Sequence, residues 1–212
     1  MSKRNPSPKR KSSQNKQWNR TPNRSTKRRP DINENSQTVE GRHAVREAIL
    51  AGTRRVREVH MSEGLDSASV IDDIANLSQE LRIPLRKHGK AKFKSMTTTE
   101  SAQGVFAVCD PLPDLELEDL IEGTDKPFIL VLDSITDPRN LGSIIRSGEC
   151  AGATGILLPR HRSVRITATV AKTAQGAIEH IPIATTPGIP KALSRLKDLG
   201  VWIVGMDMSA DA

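Results

Sequence analysis

"DSITDPRNLGSIIRSGECAGATGILLP", Asp133 to Pro159, reads as a strand end, a turn, a helix and a second strand in immediate succession. Asp133 closes the first strand, Pro138 pre-sets φ for the turn, and Asn140 can cap the helix that follows. At 100° per residue, Leu141, Ile144, Ile145 and Gly148 share one helical face, with Arg139, Ser143, Arg146 and Cys150 on the opposite one. Arg146 is thereby directed away from its own sheet, toward solvent, a ligand or a partner chain. Gly142 and Gly148 lack a Cβ and let another backbone or a ligand come close. Asn140 admits two readings, a plain cap or a functional amide, and Arg146 also two, a solvated charge or a functional cation. The loop lies at the carboxyl end of a strand, where open α/β sheets bind their ligands.

Outward from this stretch, residues 127–212 alternate strand and helix: "FILVLDS", "RNLGSIIRSGECAG", "TGILLP", "TATVAKTAQGAIEH", "IPIAT", "IPKALSRLKDLG" and "VWIVGM". The strands are near-continuous apolar runs, as a parallel sheet covered on both faces requires. The expectation is an α/β chain ending in a Rossmann-like parallel sheet with "VWIVGM" as its fourth strand, incomplete at Ala212. The glycines of the opening stretch stand at 142, 148, 152 and 155, without the G-x-G-x-x-G spacing that cradles a dinucleotide, which argues against an oxidoreductase.

Residues 38–111 form a smaller α/β unit. "GRHAVREAILAG" reads as a helix, "VREVHMS" as a strand with Val56 and Val59 inward, and "SASVIDDIANLSQELRI" as a helix with Val70, Ile74, Leu77 and Leu81 in one stripe. "IPLRKHG" is a second strand, "AKFKSM" a helical turn, and "QGVFAVCDP" a third strand closed by Pro111. Residues 112–126, acidic and marked by Pro111, Pro113 and Pro127 in or beside them, read as a linker with room for one helical turn.

The formal charge of +7 is concentrated in the tail, since residues 1–30 hold eleven Lys and Arg and no acid, which leaves 7 − 11 = −4 for the remainder. Residues 1–37 are expected to be disordered and attracted to polyphosphate, because so few apolar groups cannot offset ordering entropy. No apolar core of a secretory signal and no run long enough for a membrane span occurs, so a cytoplasmic protein is expected. Cys109 and Cys150 have neither CxxC spacing nor a nearby His pair; both read as small buried apolar residues, with no metal site or disulfide.

"DPRNLGSIIRSGECAGATGILLP" resembles motif 1 of the SpoU/TrmH family of RNA 2′-O-methyltransferases, whose catalytic domain carries a trefoil knot (the SPOUT class). "RSVRITATVAKTAQGAIEHIPI" resembles the family's next helix and strand, with Gly176, Ala177 and Pro182 in place. "VEGRHAVREAI" and "QGVFAV" resemble the start and end of the L30e-like substrate-binding domain that often precedes it. The resemblance covers residues 39 to 207, and its domain order points to the branch that methylates a guanosine of 23S ribosomal RNA, an order that tRNA and other rRNA branches share. It implies S-adenosylmethionine as cofactor, RNA as partner, a homodimer, and Arg146 and Asn140 as the catalytic polar pair, Arg146 acting on the ribose 2′-hydroxyl. A guanidinium is a poor general base, so phosphate binding and stabilisation of a developing alkoxide suit it better.

The family's second and third motifs are absent up to Ala212, and only Gly205 and Met206 of "VGMD" are expected to contribute to the cofactor pocket. The chain therefore reads as a fragment with poor cofactor binding, or, if Ala212 is its true end, as a non-catalytic RNA-binding or ribosome-assembly protein. Expected RNA contacts are Arg42 on the first helix, Gln103, and Arg160, Arg162 and Arg165 after a strand at the ligand end of the sheet. Each of these arginines reads equally as a solvated charge. Ala102 stands where many relatives carry His, so that contact is lost. With no Tyr and few Phe or Trp, recognition rests on shape, phosphate and loops rather than on aromatic stacking.

Overall fold

The computed structural model describes residues 36–66, 68–99 and 102–206. The basic tail and its expected disorder lie outside the described residues. The first lobe runs β1 (Gln37–Glu40), α1 (Arg42–Ala51), β2 (Val56–Ser62), α2 (Ser69–Glu80), β3 (Leu85–His88), α3 (Lys90–Met96) and β4 (Val105–Cys109). Its sheet has the order β1-β4-β2-β3, with β2 and β3 parallel and the other pairs antiparallel. Ala44, Val45, Ala48 and Ile49 fall on one face of α1 and are buried against Val59, Ile74 and Val105. On the other sheet face Phe93 of α3 packs with Phe106 and Val108.

Two details depart from expectation. β1 was not foreseen: "QTVE" is too short and too polar to read as a strand, yet Thr38 pairs with Val108 and Val39 with Ala107. Gln37, at the expected limit of the tail, is already in that ladder. In α2 the apolar stripe stops one position early, because the helix ends at Glu80 and leaves Leu81 at its C-cap, 56% exposed. Ser78 is buried instead and satisfies its hydroxyl by donating to the Ile74 carbonyl at 2.6 Å.

A short 3-10 turn, Glu118–Leu120, lies in the linker. The second lobe then runs β5 (Ile129–Val131), α4 (Pro138–Cys150), β6 (Gly155–Pro159), α5 (Ala168–Ala174), a 3-10 turn at Ala177–Glu179, β7 (Ile183–Thr186) and α6 (Ile189–Asp198). Its sheet is β5-β6-β7, all parallel. Successive β6 residues serve opposite faces: Ile156 and Leu158 pack with Leu141, Ile145 and Val170, and Leu157 with Leu120 and Leu196. The expected fourth strand is not one. Val201–Met206 joins no ladder among the described residues, with Ile203 half-buried and Trp202 and Val204 exposed. An alternating apolar run has the pleat of a strand, but strand formation also needs a partner edge.

The lobes meet along α1, β1, α5 and the 177–179 turn. Arg54, after α1, and Glu179 form an ion pair at 2.5 Å with both side chains almost wholly buried. Thr53 Oγ1 donates to the Glu179 carbonyl at 2.6 Å, and His180 Nε2 lies 2.9 Å from Glu47 Oε2. Cys109 is buried, and burial pushes its thiol up to about 12. Cys150, expected inside, is exposed: it shares the outer face of α4 with Arg146, where the helical period had already placed it.

Candidate functional site at the seam of the two lobes

Helix α4 is capped by Asp137, not by Asn140. The Asp137 Oδ1 accepts from the Arg139 backbone N–H at 2.7 Å, and Pro138 takes the first helical position, where its missing N–H costs nothing. Asn140 is therefore inside the first turn, exposed and without a side-chain hydrogen bond among the described residues. Gly142 and Gly148 are approached by protein: a Cβ on Gly142 would meet the Val170 carbonyl oxygen at 2.8 Å, and one on Gly148 the Leu130 Cδ1 at 2.4 Å. With Leu141 and Ile145 fully buried, the helical period holds Arg146 on the outer face, exposed and without an acidic partner among the described residues.

That face borders two cavities of about 330 and 260 Å³ along the seam between lobes, which share His43, Arg146 and Gln175 as lining. Glu47 and His180 extend the first; Gln103 and Lys172 extend the second. Arg146 and Gln103, singled out separately in the sequence, are thus brought to one groove. Arg42 adjoins it: its backbone N–H donates to Gln103 Oε1 and its Nε–H to the Gln103 carbonyl, both at 3.1 Å. Its guanidinium therefore braces the loop before β4.

Glu40 secures the same loop. Its fully buried carboxylate accepts from the Thr98 backbone N–H at 2.6 Å, the Thr98 hydroxyl at 2.8 Å, the Thr99 backbone N–H at 2.9 Å and the Thr99 hydroxyl. Four donors offset the cost of burying the charge. Sequence reasoning missed Glu40, although an acid inside the strand-forming "TVE" and a run of three threonines were visible. It missed Lys172 and Gln175 too, because nothing local says which lobe they will face.

Arg160, Arg162 and Arg165 lie elsewhere. The Arg160 backbone N–H donates to the Thr186 carbonyl at 2.7 Å, while Ser163 Oγ and the Val164 backbone N–H donate to the Ile135 carbonyl at 3.1 and 2.8 Å, fastening the loop across the carboxyl end of the sheet. Arg160 and Arg165 border a separate cavity of about 330 Å³ with Pro113, Leu158 and Thr185, and it shares no lining residue with the Arg146 groove. Arg162 is exposed with φ at +61°. Among the described residues, a Cβ on Gly205 would meet nothing within 4 Å, and Met206 is 98% exposed.

Comparison with known proteins places this geometry in context. Residues 127–212 match the SpoU rRNA Methylase family, and residues 38–115 match the RNA 2′-O ribose methyltransferase substrate binding family. The chain is 37% identical over 176 residues to YacO of Bacillus subtilis, a protein assigned to the TrmH family of tRNA/rRNA methyltransferases, covering 81% of this chain and 70% of that one. A TrmH family relative from Staphylococcus haemolyticus is 33% identical over 173 residues, covering 80% and 68%. In fold the chain is similar to the SpoU methyltransferase AviRb of Streptomyces viridochromogenes in complex with AdoMet, with a TM-score of 0.61, 18% identity, and coverage of 78% of this chain and 60% of that one. An AdoMet-bound rRNA methyltransferase of Sinorhizobium meliloti gives a TM-score of 0.59 at 21% identity, covering 76% and 58%. The chain thus spans about 60% of the length of these solved structures.

Proposed function

Because the chain belongs to the SpoU/TrmH family of RNA methyltransferases, whose cofactor is S-adenosylmethionine, we propose that it serves methyl transfer to a ribose 2′-hydroxyl of RNA, that of a guanosine in 23S ribosomal RNA. The observation that carries this reading is the placement of Arg146, an unpaired cation of the SpoU lobe, in one groove with Gln103 of the substrate-binding lobe. RNA held by the first lobe is presented to the outer face of α4. There Arg146 binds the phosphate next to the target ribose and stabilises negative charge as it develops on the 2′-oxygen. Asn140, six residues earlier on α4, steadies the neighbouring sugar-phosphate. The cofactor supplies the methyl group when bound; none of these roles requires Gly205 or Met206 to hold it. Arg160, Arg162 and Arg165 track RNA phosphates away from the reacting ribose. A homodimer completing the site belongs to the same reading.

The test is methylation of 23S rRNA and tRNA transcripts, with the product nucleoside identified by mass spectrometry. Arg146→Ala should lose about 10²- to 10³-fold in rate with an unchanged melting temperature. Undiminished methylation by that variant, or a methyl group found on a base, would overturn the assignment; modification of tRNA alone would overturn the 23S target. A second reading is RNA binding without methyl transfer. Calorimetric titration with S-adenosylmethionine separates the two.

A further inference from the structure

The groove at Arg146 has two banks from different lobes, and both are held in place before any ligand arrives. The buried Arg54–Glu179 pair, the Thr53 hydroxyl bond to the Glu179 carbonyl and the Glu47–His180 contact lock α1 to the 177–179 turn. Its width is therefore a property of the folded chain.

Each bank carries one glutamine in the left-handed region, Gln103 at φ +53° on one side and Gln175 at +52° on the other. Non-glycine residues settle there at a cost, and such positions concentrate at ligand clamps. Gln103 is already oriented, since its Oε1 accepts from the Arg42 backbone N–H. Gln175 is exposed and makes no side-chain hydrogen bond among the described residues. Beside it Lys172 is half-buried with no acid in ion-pair distance among the described residues, as is true of the exposed Arg146. Of the acids lining the groove, Glu40 is engaged by Thr98 and Thr99 and Glu47 by Arg46 and His180, while Glu149 accepts from the Cys150 thiol at 3.7 Å and has no cationic partner among the described residues. The cavity of about 450 Å³ that involves Arg54 lacks this character, because its cation is neutralised by Glu179.

Two cations without an acidic partner among the described residues, beside one oriented amide and one amide left open, suit one nucleotide of an unpaired RNA segment. A phosphate needs the cations, and a splayed base offers its edge to amides. We propose that the seam holds one such nucleotide, Lys172 binding its phosphate and Gln175 its base edge. The proposal rests on the reading of Arg146 as an RNA-facing residue. It adds a phosphate-binding residue, Lys172, and a base-reading residue, Gln175, from a segment that carries no part in the methyl transfer itself.

The experiment uses the full chain and a hairpin RNA with 4-thiouridine in its single-stranded loop. Photo-crosslinked peptides are mapped by mass spectrometry, and affinity is measured from 50 to 300 mM salt. Crosslinks are expected on the segments carrying His43 and Lys172–Gln175. Lys172→Gln should weaken binding and reduce the salt slope by about 1, whereas Lys197→Gln on α6 should change neither affinity nor slope appreciably. Gln175→Gly removes the amide while relieving the left-handed strain, so it should melt no lower than the parent yet bind RNA about tenfold more weakly. A residue with only a structural role would show the opposite pattern. Crosslinks confined to residues 1–35 or to α6, or wild-type affinity in both Lys172→Gln and Gln175→Gly, would overturn the proposal. Because the readout is RNA bound rather than RNA methylated, its failure is distinct from failure of the methyltransferase reading.

Discussion

His60 stacks on Phe106 with centroids 4.4 Å apart, and the nearly parallel ring of His88 lies 5.1 Å away between centroids. Its Nδ1 is 2.8 Å from His88 Nε2, and its Nε2 is 3.0 Å from Glu58 Oε1 without the alignment of a hydrogen bond. Burial lowers the pKa of both histidines, reinforced at His60 by His88 and Arg86 and at His88 by Lys92 and Arg86, against the opposing pull of Glu58. For Glu58, burial raises the carboxyl, but His60 and Arg86 outweigh it and bring it below 4.5. The signs agree. Below pH 6.5 the unfolded chain takes up protons that the folded histidines resist, and below 4.5 it takes up one that Glu58 resists, so stability falls as pH falls through both windows. Urea unfolding at pH 7.5 and 5.5 should give a lower midpoint at 5.5, and His60→Phe, which keeps the stack, should shrink the difference; an equal difference in the variant would show that the pair does not titrate with folding. Residue roles were only half legible. Aspartate before proline is the stronger cap, yet Asn140 competed for the role, and a capping bond is decided by where the first turn starts. The outward aim of Arg146 followed from the helical period alone.

At the scale of elements, the crossing of α4 and α5 depends on Gly142, where an added Cβ would also meet Thr173 Cβ at 2.6 Å. The nearest obstacles are backbone and a β-carbon, neither of which can swing aside. Gly142→Ala should therefore destabilise by about 1–3 kcal/mol despite alanine's better helix propensity, measurable as a lower denaturant midpoint with unchanged m. A midpoint equal to the parent's would mean that the helices separate at little cost. Elements with a strong period were readable: α1 and α4 from their stripes, β6 from its apolar run. β1 was not, because its stability comes from pairing with β4, a partner about seventy residues away. Val201–Met206 misled for the converse reason: its side chains have the alternation of a strand and no described neighbour to bond to.

At the scale of the molecule, the lobes are joined by a charge pair whose members are each costly to bury alone. Arg54→Met should cost about 3–5 kcal/mol, since Glu179 would be left uncompensated, and Arg54→Met/Glu179→Met should recover most of that loss. Hydrogen exchange checks it: protection should drop in α1 and around residues 177–181 in the single variant and return in the double. Equal exchange in all three proteins would show the lobes to be joined by packing alone. The parallel sheet of the second lobe was legible in its near-continuous apolar strands. Which surfaces would touch was not, because Arg54 and Glu179 are 125 positions apart and each looks like an ordinary surface charge. The functional groove inherits that opacity, being made of residues from both sides.

The same separation sets a timetable during synthesis. At about 5–20 residues per second, Glu179 is made roughly 6–25 s after Arg54. Through that interval the first lobe can close its own sheet, but its Arg54 must remain hydrated and the flank destined for α5 must stay exposed. The nascent chain thus carries one hydrated guanidinium, that of Arg54, beside a ribosome made of RNA, and only arrival of Glu179 withdraws it from solvent.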